Sequence, residues 1–210
     1  LIKDKIHFVV FDRSGAISTQ GFNIHSNPEI FIRIIVATLY LNSVQLGEDP
    51  TIKLNEDGKT GHLYFKGDKY IITEILYVEG VVRGRGTVCY RVHRDKEDPF
   101  QDNEELIVKD SWVDTSRKDT EAKILRILNA AGVRGVPTLI DDEVVQFDGV
   151  PDSTFRARAS FFLDGKWASK EDKEIEIREH RRILMKPFGR KLEGFKTLLG
   201  FVTAIRDVAD

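Results

Sequence analysis

Three short runs stand in an order that could grip a phosphate: Gly84-Arg85-Gly86-Thr87, then Val108-Lys109, then Glu121-Ala122-Lys123-Ile124-Leu125. Glycines in a turn between two strands let backbone N–H groups approach an anion without side-chain obstruction. A lysine on the next strand reaches the same anion as a point charge. A carboxylate on the following helix can hold that lysine in position. Each part alone has a plainer reading: a tight β-turn, a strand-edge lysine facing water, an acid favoured by the helix dipole in a first turn. The order of the three carries the chemistry.

The elements that must position these groups are legible around them. Residues 72–82 read as the strand entering the glycine turn. Residues 88–92 leave it, with Val88, Tyr90 and Val92 alternating with Cys89 and Arg91. Leu106-Ile107-Val108 is a short buried-strand signal ending at Lys109. Residues 116–119 predict a capping box, and Ile124, Leu125, Ile127, Leu128 and Ala131 mark a helix stopped by Gly132. Residues 136–147 are expected as a strand pair or one long bent strand, and 182–186 as a further strand stopped by Pro187. The charged stretch 94–105 reads as a solvated connection, and 164–180 as a solvent-facing insertion or an exposed helix. Arg83, Arg85, Arg91 and Arg94 cluster near the glycine turn, where they could help hold phosphate but read better as a solvated strand face. Asp110 is expected on the opposite face from Lys109, in a structural role, and Trp112 in packing.

Upstream, residues 6–11 and 16–24 read as strands separated by a turn at Asp12-Arg13-Ser14-Gly15. That run resembles an aspartic-protease motif only superficially, since the arginine spoils the spacing and no second copy exists. Asn27-Pro28-Glu29 predicts the start of an amphipathic helix over 28–42. Residues 52–55 and 62–66 flank a Glu-Asp-Gly-Lys turn and predict a hairpin, and 69–78 is another β-rich run. Leu192, Phe195, Leu198, Leu199, Val202 and Ile205 share one face of a closing helix.

Composition narrows the function classes. The chain has 210 residues, 41% hydrophobic and 31% charged, ordinary for a soluble globular protein with an ample core. A formal net charge of -2 supplies no global field toward nucleic acid or an anionic membrane. Cys89, the one cysteine, excludes an internal disulfide and suits a reducing compartment, cytoplasmic or nuclear. The five histidines show no metal-ligand spacing. The greasiest stretch, residues 30–41, is interrupted by Arg33 and Thr38 and predicts no transmembrane span.

Further runs carry a resemblance. Phe8-Val9-Val10-Phe11-Asp12-Arg13-Ser14-Gly15, Phe22-Asn23-Ile24-His25 with Pro28 and Phe31-Ile32-Arg33, Val108-Lys109-Asp110-Ser111-Trp112, Gly132-Val133 with Gly135-Val136, and residues 198–210 join the glycine turn. Spread over most of the chain, they resemble the fungal-type protein kinase domain, a divergent branch of the protein kinase-like fold. The resemblance implies an α+β fold: a protein kinase-like small lobe, with an antiparallel sheet and one long helix, preceded by a small α+β extension. It places the extension at 1–70, the small lobe at 71–187, and a hinge exit with the start of a large-lobe helix at 188–210.

The resemblance also implies roles. Gly84, Arg85, Gly86, Thr87, Val88 and Cys89 would cover or contact the nucleotide. Lys109 would bind the α- and β-phosphates of ATP, and Glu121 would pair with it. Leu184, Met185 and Lys186 would form the hinge beside adenine. The expected partners are ATP and a protein substrate, with no nucleic acid and no membrane. Two departures matter. The usual third glycine of the loop is missing, and Cys89 stands either in its place or, if the loop is two residues shorter, where a base-contacting valine sits. No H-R-D-x-x-x-x-N or D-F-G run occurs, so the ligands of Mg²⁺ are expected beyond residue 210 and this stretch alone is expected to be inactive.

Overall fold

The computed structural model describes residues 5–95, 104–163, 176–189 and 194–209. Its centre is a seven-stranded sheet built from the β-branched and aromatic runs of the sequence. The strands are β5 (Ile52–Leu54), β6 (Gly61–Phe65), β7 (Asp68–Val78), β8 (Val88–Arg94), β9 (Leu106–Asp114), β10 (Thr138–Val144) and β13 (Arg178–Lys186). Their order is β10-β13-β9-β8-β7-β6-β5, and every neighbouring pair is antiparallel. A division at residue 70 therefore falls inside β7, where Tyr70 pairs with Leu63 on one side and Arg94 on the other.

Alternation gives the sheet two distinct faces. One carries Leu63, Phe65, Tyr70, Ile72, Tyr90, Val92, Leu106, Val108 and Leu184, a single buried cluster. The other carries Lys109, with Ile183 and Met185 packed against Ala122 and Leu125 of helix α2 (Glu121–Ala130) and flanked by Ile107 and Leu139. Register shifts in β7 and in β10 bend the sheet so strongly that its ends approach each other. The Lys66 backbone N–H, at the β6–β7 turn, donates to Glu143 of β10 at 3.0 Å, and Lys66 Nζ lies 2.5 Å from Asp141.

The curl is closed from within by Arg182. Its side chain is 0% exposed and donates to both carboxylate oxygens of Asp110 at 2.7 and 2.8 Å. It also reaches Asp49 at 2.8 Å, Thr51 Oγ1 at 2.9 Å and the Tyr64 carbonyl at 2.7 Å. Five bonds satisfy a guanidinium that would otherwise be very costly to bury. His180, two residues earlier on the same face, stacks on Trp112 at 5.0 Å with planes 6° apart, and lies 3.1 Å from Asp152 and 3.5 Å from Asp110. Burial alone would lower the His180 pKa, but its hydrogen bonds to the Asp110 and Asp152 carboxylates outweigh it and raise the value to about 9. Burial likewise works against the Asp110 charge, and Arg182 overcomes it, holding that carboxyl well below the usual range. Asp110 is thus on the face opposite Lys109 and structural, as its position in the strand predicts, and anchoring it fixes the register of the strand that presents Lys109.

Several local expectations shift. Residues 178–180, read as part of a charged insertion or exposed helix, begin β13, because their charges meet carboxylates and an aromatic ring across the fold; residues 164–175 of that stretch lie outside the described residues, as do 96–103 of the earlier one. The helix cap is Thr120, whose Oγ1 accepts from the Lys123 N–H, whereas Ser116 sits in a turn donating its N–H to Asp114. Its other end follows the glycine signal: Gly132 has φ +67°, with Val133 N–H bonded to Leu128 O and Gly132 N–H to Asn129 O. The 136–147 region resolves into β10 and a short strand β11 (Gln146–Phe147) paired with β12 (Val150–Pro151), leading to a helix α3 (Thr154–Leu163) that periodicity did not reveal.

At the N-terminus each expected strand divides. β1 (Lys5–Ile6) pairs with β4 (Phe22–Asn23), while β2 (Val9–Asp12) pairs with β3 (Gly15–Ser18). Helix α1 (Pro28–Leu39) starts at the predicted proline, but Asn27 makes no side-chain cap, its amide donating to the Asn23 carbonyl, and no α1 residue is buried. The closing helix α4 spans Leu198–Ala209. Among the described residues, no helix is long and apolar enough to cross a membrane.

Candidate functional site

Lys109 and Glu121 are brought together. Lys109 lies mid-strand in β9, with Cys89 of β8 and Ile183 of β13 as lateral neighbours. Glu121 is the first residue of α2, and the Ala122 and Leu125 contacts seat that helix on the lysine-bearing face. Lys109 Nζ lies 2.7 Å from both Glu121 carboxylate oxygens. The lysine side chain is 19% exposed and the glutamate 42%. An ion pair this open to water contributes at most about 1 kcal/mol to stability. Its consequence is positional: the ammonium is held at one point, within hydrogen-bond reach of both Glu121 oxygens.

The glycine turn joins β7 to β8 as predicted. Gly84 has φ +127° and Gly86 φ +51°, both in the region that favours glycine. Its base is closed by Glu79, whose N–H donates to Thr87 O at 2.8 Å and whose carboxylate accepts the Thr87 N–H at 2.9 Å. That backbone bond is the main reason the Glu79 carboxyl titrates below its ordinary value. On β9, the Trp112 N–H donates to the Arg85 carbonyl at 2.7 Å. Arg13, far upstream, reaches the turn: its carbonyl accepts the Gly84 N–H at 3.0 Å and its guanidinium donates to the Val81 carbonyl at 2.6 Å.

The remaining expected site residues fall into two groups. Cys89 shares the Lys109 face and is a free thiol; burial pushes its pKa up more than the neighbouring Lys109 lowers it. Val88 packs against the core cluster of the opposite face. Leu184 and Met185 have ladder partners on both sides, Val108 and Asp141 for the first, Ile107 and Leu139 for the second. Leu184 is buried in the opposite-face core, and Met185 in the cluster beneath α2. Lys186 pairs with Thr138 and carries an ion pair to Glu104 at 2.9 Å. Beyond it, the Phe188 ring lies 4.4 Å beneath the Arg91 guanidinium.

The predicted solvated arginines meet partners: Arg91 with Glu74 and Glu105, Arg94 with Asp68, and Arg83 with Glu176. Asp49, Asp110 and His180 form the one grouping with metal-ligand proximity among the described residues. Arg182 already bonds both of those carboxylates, so a divalent cation does not fit there. Arg13, Arg158 and Arg182 were missed as site or brace residues because their contacts span 68 to 146 positions of sequence; the Asp12-Arg13-Ser14-Gly15 run was the only local signal.

No curated protein and no solved structure matches the chain. The family described as fungal protein kinase matches it over residues 1–210. With the match covering the whole sequence, this chain belongs to the fungal protein kinase family.

Proposed function

We propose that the chain is the ATP-binding small lobe of a protein kinase that transfers the γ-phosphate to protein hydroxyls. The observation that carries this reading is the Lys109–Glu121 pair, 2.7 Å from ammonium to each oxygen, on a strand and a helix packed face to face. The succession of strand, glycine turn, strand, lysine strand and glutamate helix supports it. The held ammonium, beside a turn with two glycines of positive φ, supports a phosphate-binding reading. In this reading Lys109 holds the α- and β-phosphates and Glu121 keeps Lys109 from swinging away. Met185 and Lys186 lead into the segment beside adenine. When bound, Mg²⁺ would supply charge neutralisation at the phosphates.

A second reading is a module that binds a partner and transfers nothing. It is favoured by one observation: the Gly84 and Thr87 amides, which a phosphate would use, already bond Arg13 O and Glu79. Transfer of phosphate from ATP by the full-length protein separates the two, and thermal denaturation with and without ATP and Mg²⁺ tests the nucleotide site that the first requires. Stabilisation by nucleotide that is lost in Lys109→Met supports the kinase reading. No stabilisation, or stabilisation that survives Lys109→Met, overturns it.

A further inference from the structure

The Asp12-Arg13-Ser14-Gly15 turn is more than a bend between β2 and β3. Asp12 Oδ1 accepts from the Ser14 and Gly15 N–H groups at 2.8 and 3.1 Å, which shapes the turn. The same carboxylate is gripped by Arg158 of α3 in a two-bond fork, both bonds 2.6 Å, with the guanidinium buried. Ser14 Oγ donates to Thr154 Oγ1 at 2.8 Å, and Thr154 in turn accepts the Arg178 N–H at 2.9 Å. Arg178 donates to the Trp112 carbonyl at 2.9 Å, and the Trp112 N–H holds Arg85 O. A ring of contacts thus runs from the hairpin tip through α3, β13 and β9 to the glycine turn.

Arg13 closes that ring. Its carbonyl takes the Gly84 N–H, and its guanidinium donates to Val81 O at 2.6 Å and Val82 O at 3.4 Å. It also fills the space beneath Gly86: a Cβ there would lie 2.3 Å from Arg13 Cζ. A side chain at Gly86 would have to displace the guanidinium, and the φ of +51° there favours glycine in any case.

We infer that Arg13 is a positioning residue for the glycine turn, a clasp delivered by the N-terminal hairpin and anchored through Asp12 to Arg158. It sets the turn's conformation over the sheet, and through it the affinity for nucleotide phosphates. The nucleotide part rests on the proposed kinase reading; the clasp itself does not. Unlike Lys109, Arg13 acts through the backbone of the turn, so it governs how well the nucleotide is held rather than the transfer step.

The test uses the full-length protein with Arg13→Ala, Arg13→Lys and Arg158→Met, read two ways. Hydrogen exchange of amides 80–87 without nucleotide should show at least about tenfold faster exchange in Arg13→Ala and in Arg158→Met, the loss of one charge-assisted hydrogen bond. ATP titration should show KM raised about tenfold with kcat within about twofold, Arg13→Lys recovering part of the loss by keeping one donor to Val81 O. Unchanged exchange in Arg13→Ala overturns the clasp. Faster exchange with unchanged KM, or with KM lowered as an inhibitory plug would give, overturns the positioning role. A wild-type protein that binds no ATP overturns the kinase reading and the nucleotide half of the inference with it, while the exchange measurement still decides the clasp. Arg158→Met separates a positioning effect from local damage at Arg13, because it loosens the hairpin without touching the turn.

Discussion

Replacing Arg182 with methionine should cost the fold about 3 kcal/mol, and the deficit should shrink in acid. The substitution keeps a long side chain in the core but removes five hydrogen bonds: two to Asp110 and one each to Asp49, Thr51 and the Tyr64 carbonyl. Removing one partner of a buried ion pair costs roughly 3–5 kcal/mol, because the other charge is left behind. The lower end applies here: His180, charged at neutral pH, still faces Asp110 at 3.5 Å, and Asp49 is nearer the surface. Against a total of roughly 5–15 kcal/mol, such a loss is easily measured. Urea unfolding followed by circular dichroism and Trp fluorescence at pH 7 gives the difference directly. In the native protein Asp110 has a depressed pKa, so its contribution is present above the ordinary carboxylate range and lost as pH falls through the depressed value. Without Arg182, burial dominates and raises that pKa, so protonation relieves the variant and the two proteins converge as pH falls toward 4. A loss below about 1 kcal/mol, or a deficit constant between pH 7 and 4, would refute the argument, since a simple cavity has no pH dependence.

Other outcomes follow from the same structure. His180 is raised from 6.5 to about 9, so its stabilising contribution is complete below pH 6.5 and lost as pH rises through about 9, worth roughly 3 kcal/mol; His180→Phe, which keeps a ring on Trp112, should flatten the fall in stability between pH 6.5 and 9.5. In the full-length protein, Lys109→Met should lower phosphotransfer about a hundredfold or more, with a stability change of at most about 1 kcal/mol; an active Lys109→Met enzyme removes Lys109 from the site. Gly61→Ala should destabilise by more than about 2 kcal/mol, because the new Cβ would lie 2.1 Å from the Lys53 carbonyl of the paired strand. Gly58→Ala, at φ +63° with open space around it, should cost only about 1 kcal/mol, and equal unfolding midpoints for the two would contradict the geometry.

The lysine–glutamate pairing was legible because both ends are written in local patterns. Period-two alternation puts Lys109 and Asp110 on opposite faces of a strand. Helical spacing from Ile124 to Ala131 predicts the helix itself, whereas the Thr120 cap and the burial of Ala122 and Leu125, which turn Glu121 toward the strand, came from the packing. The glycine turn, the proline that opens α1 and the glycine that ends α2 are equally local, since each answers a dihedral requirement of one or two residues. The charged run at 178–182 was the opposite case. As a sequence it reads as solvated, yet Arg178, His180 and Arg182 lie in the interior because Trp112, Asp152, Asp110, Asp49 and Tyr64 arrive from elsewhere to satisfy them. Charge in a sequence reports the cost of burial but not whether a partner will offset it.

Sequence patterning by itself therefore determined most of the strands, the glycine turn and the opposite facing of Lys109 and Asp110, because these depend on periodicities of two and 3.6 and on single-residue backbone preferences. Tertiary structure alone decided that the sheet runs on through β6 and β5, that it curls until Arg182 closes it, and that Arg13 clasps the turn beneath Gly86. The closure and the clasp depend on contacts between residues 68 to 146 positions apart, where geometry and desolvation, not local pattern, determine which polar groups find one another.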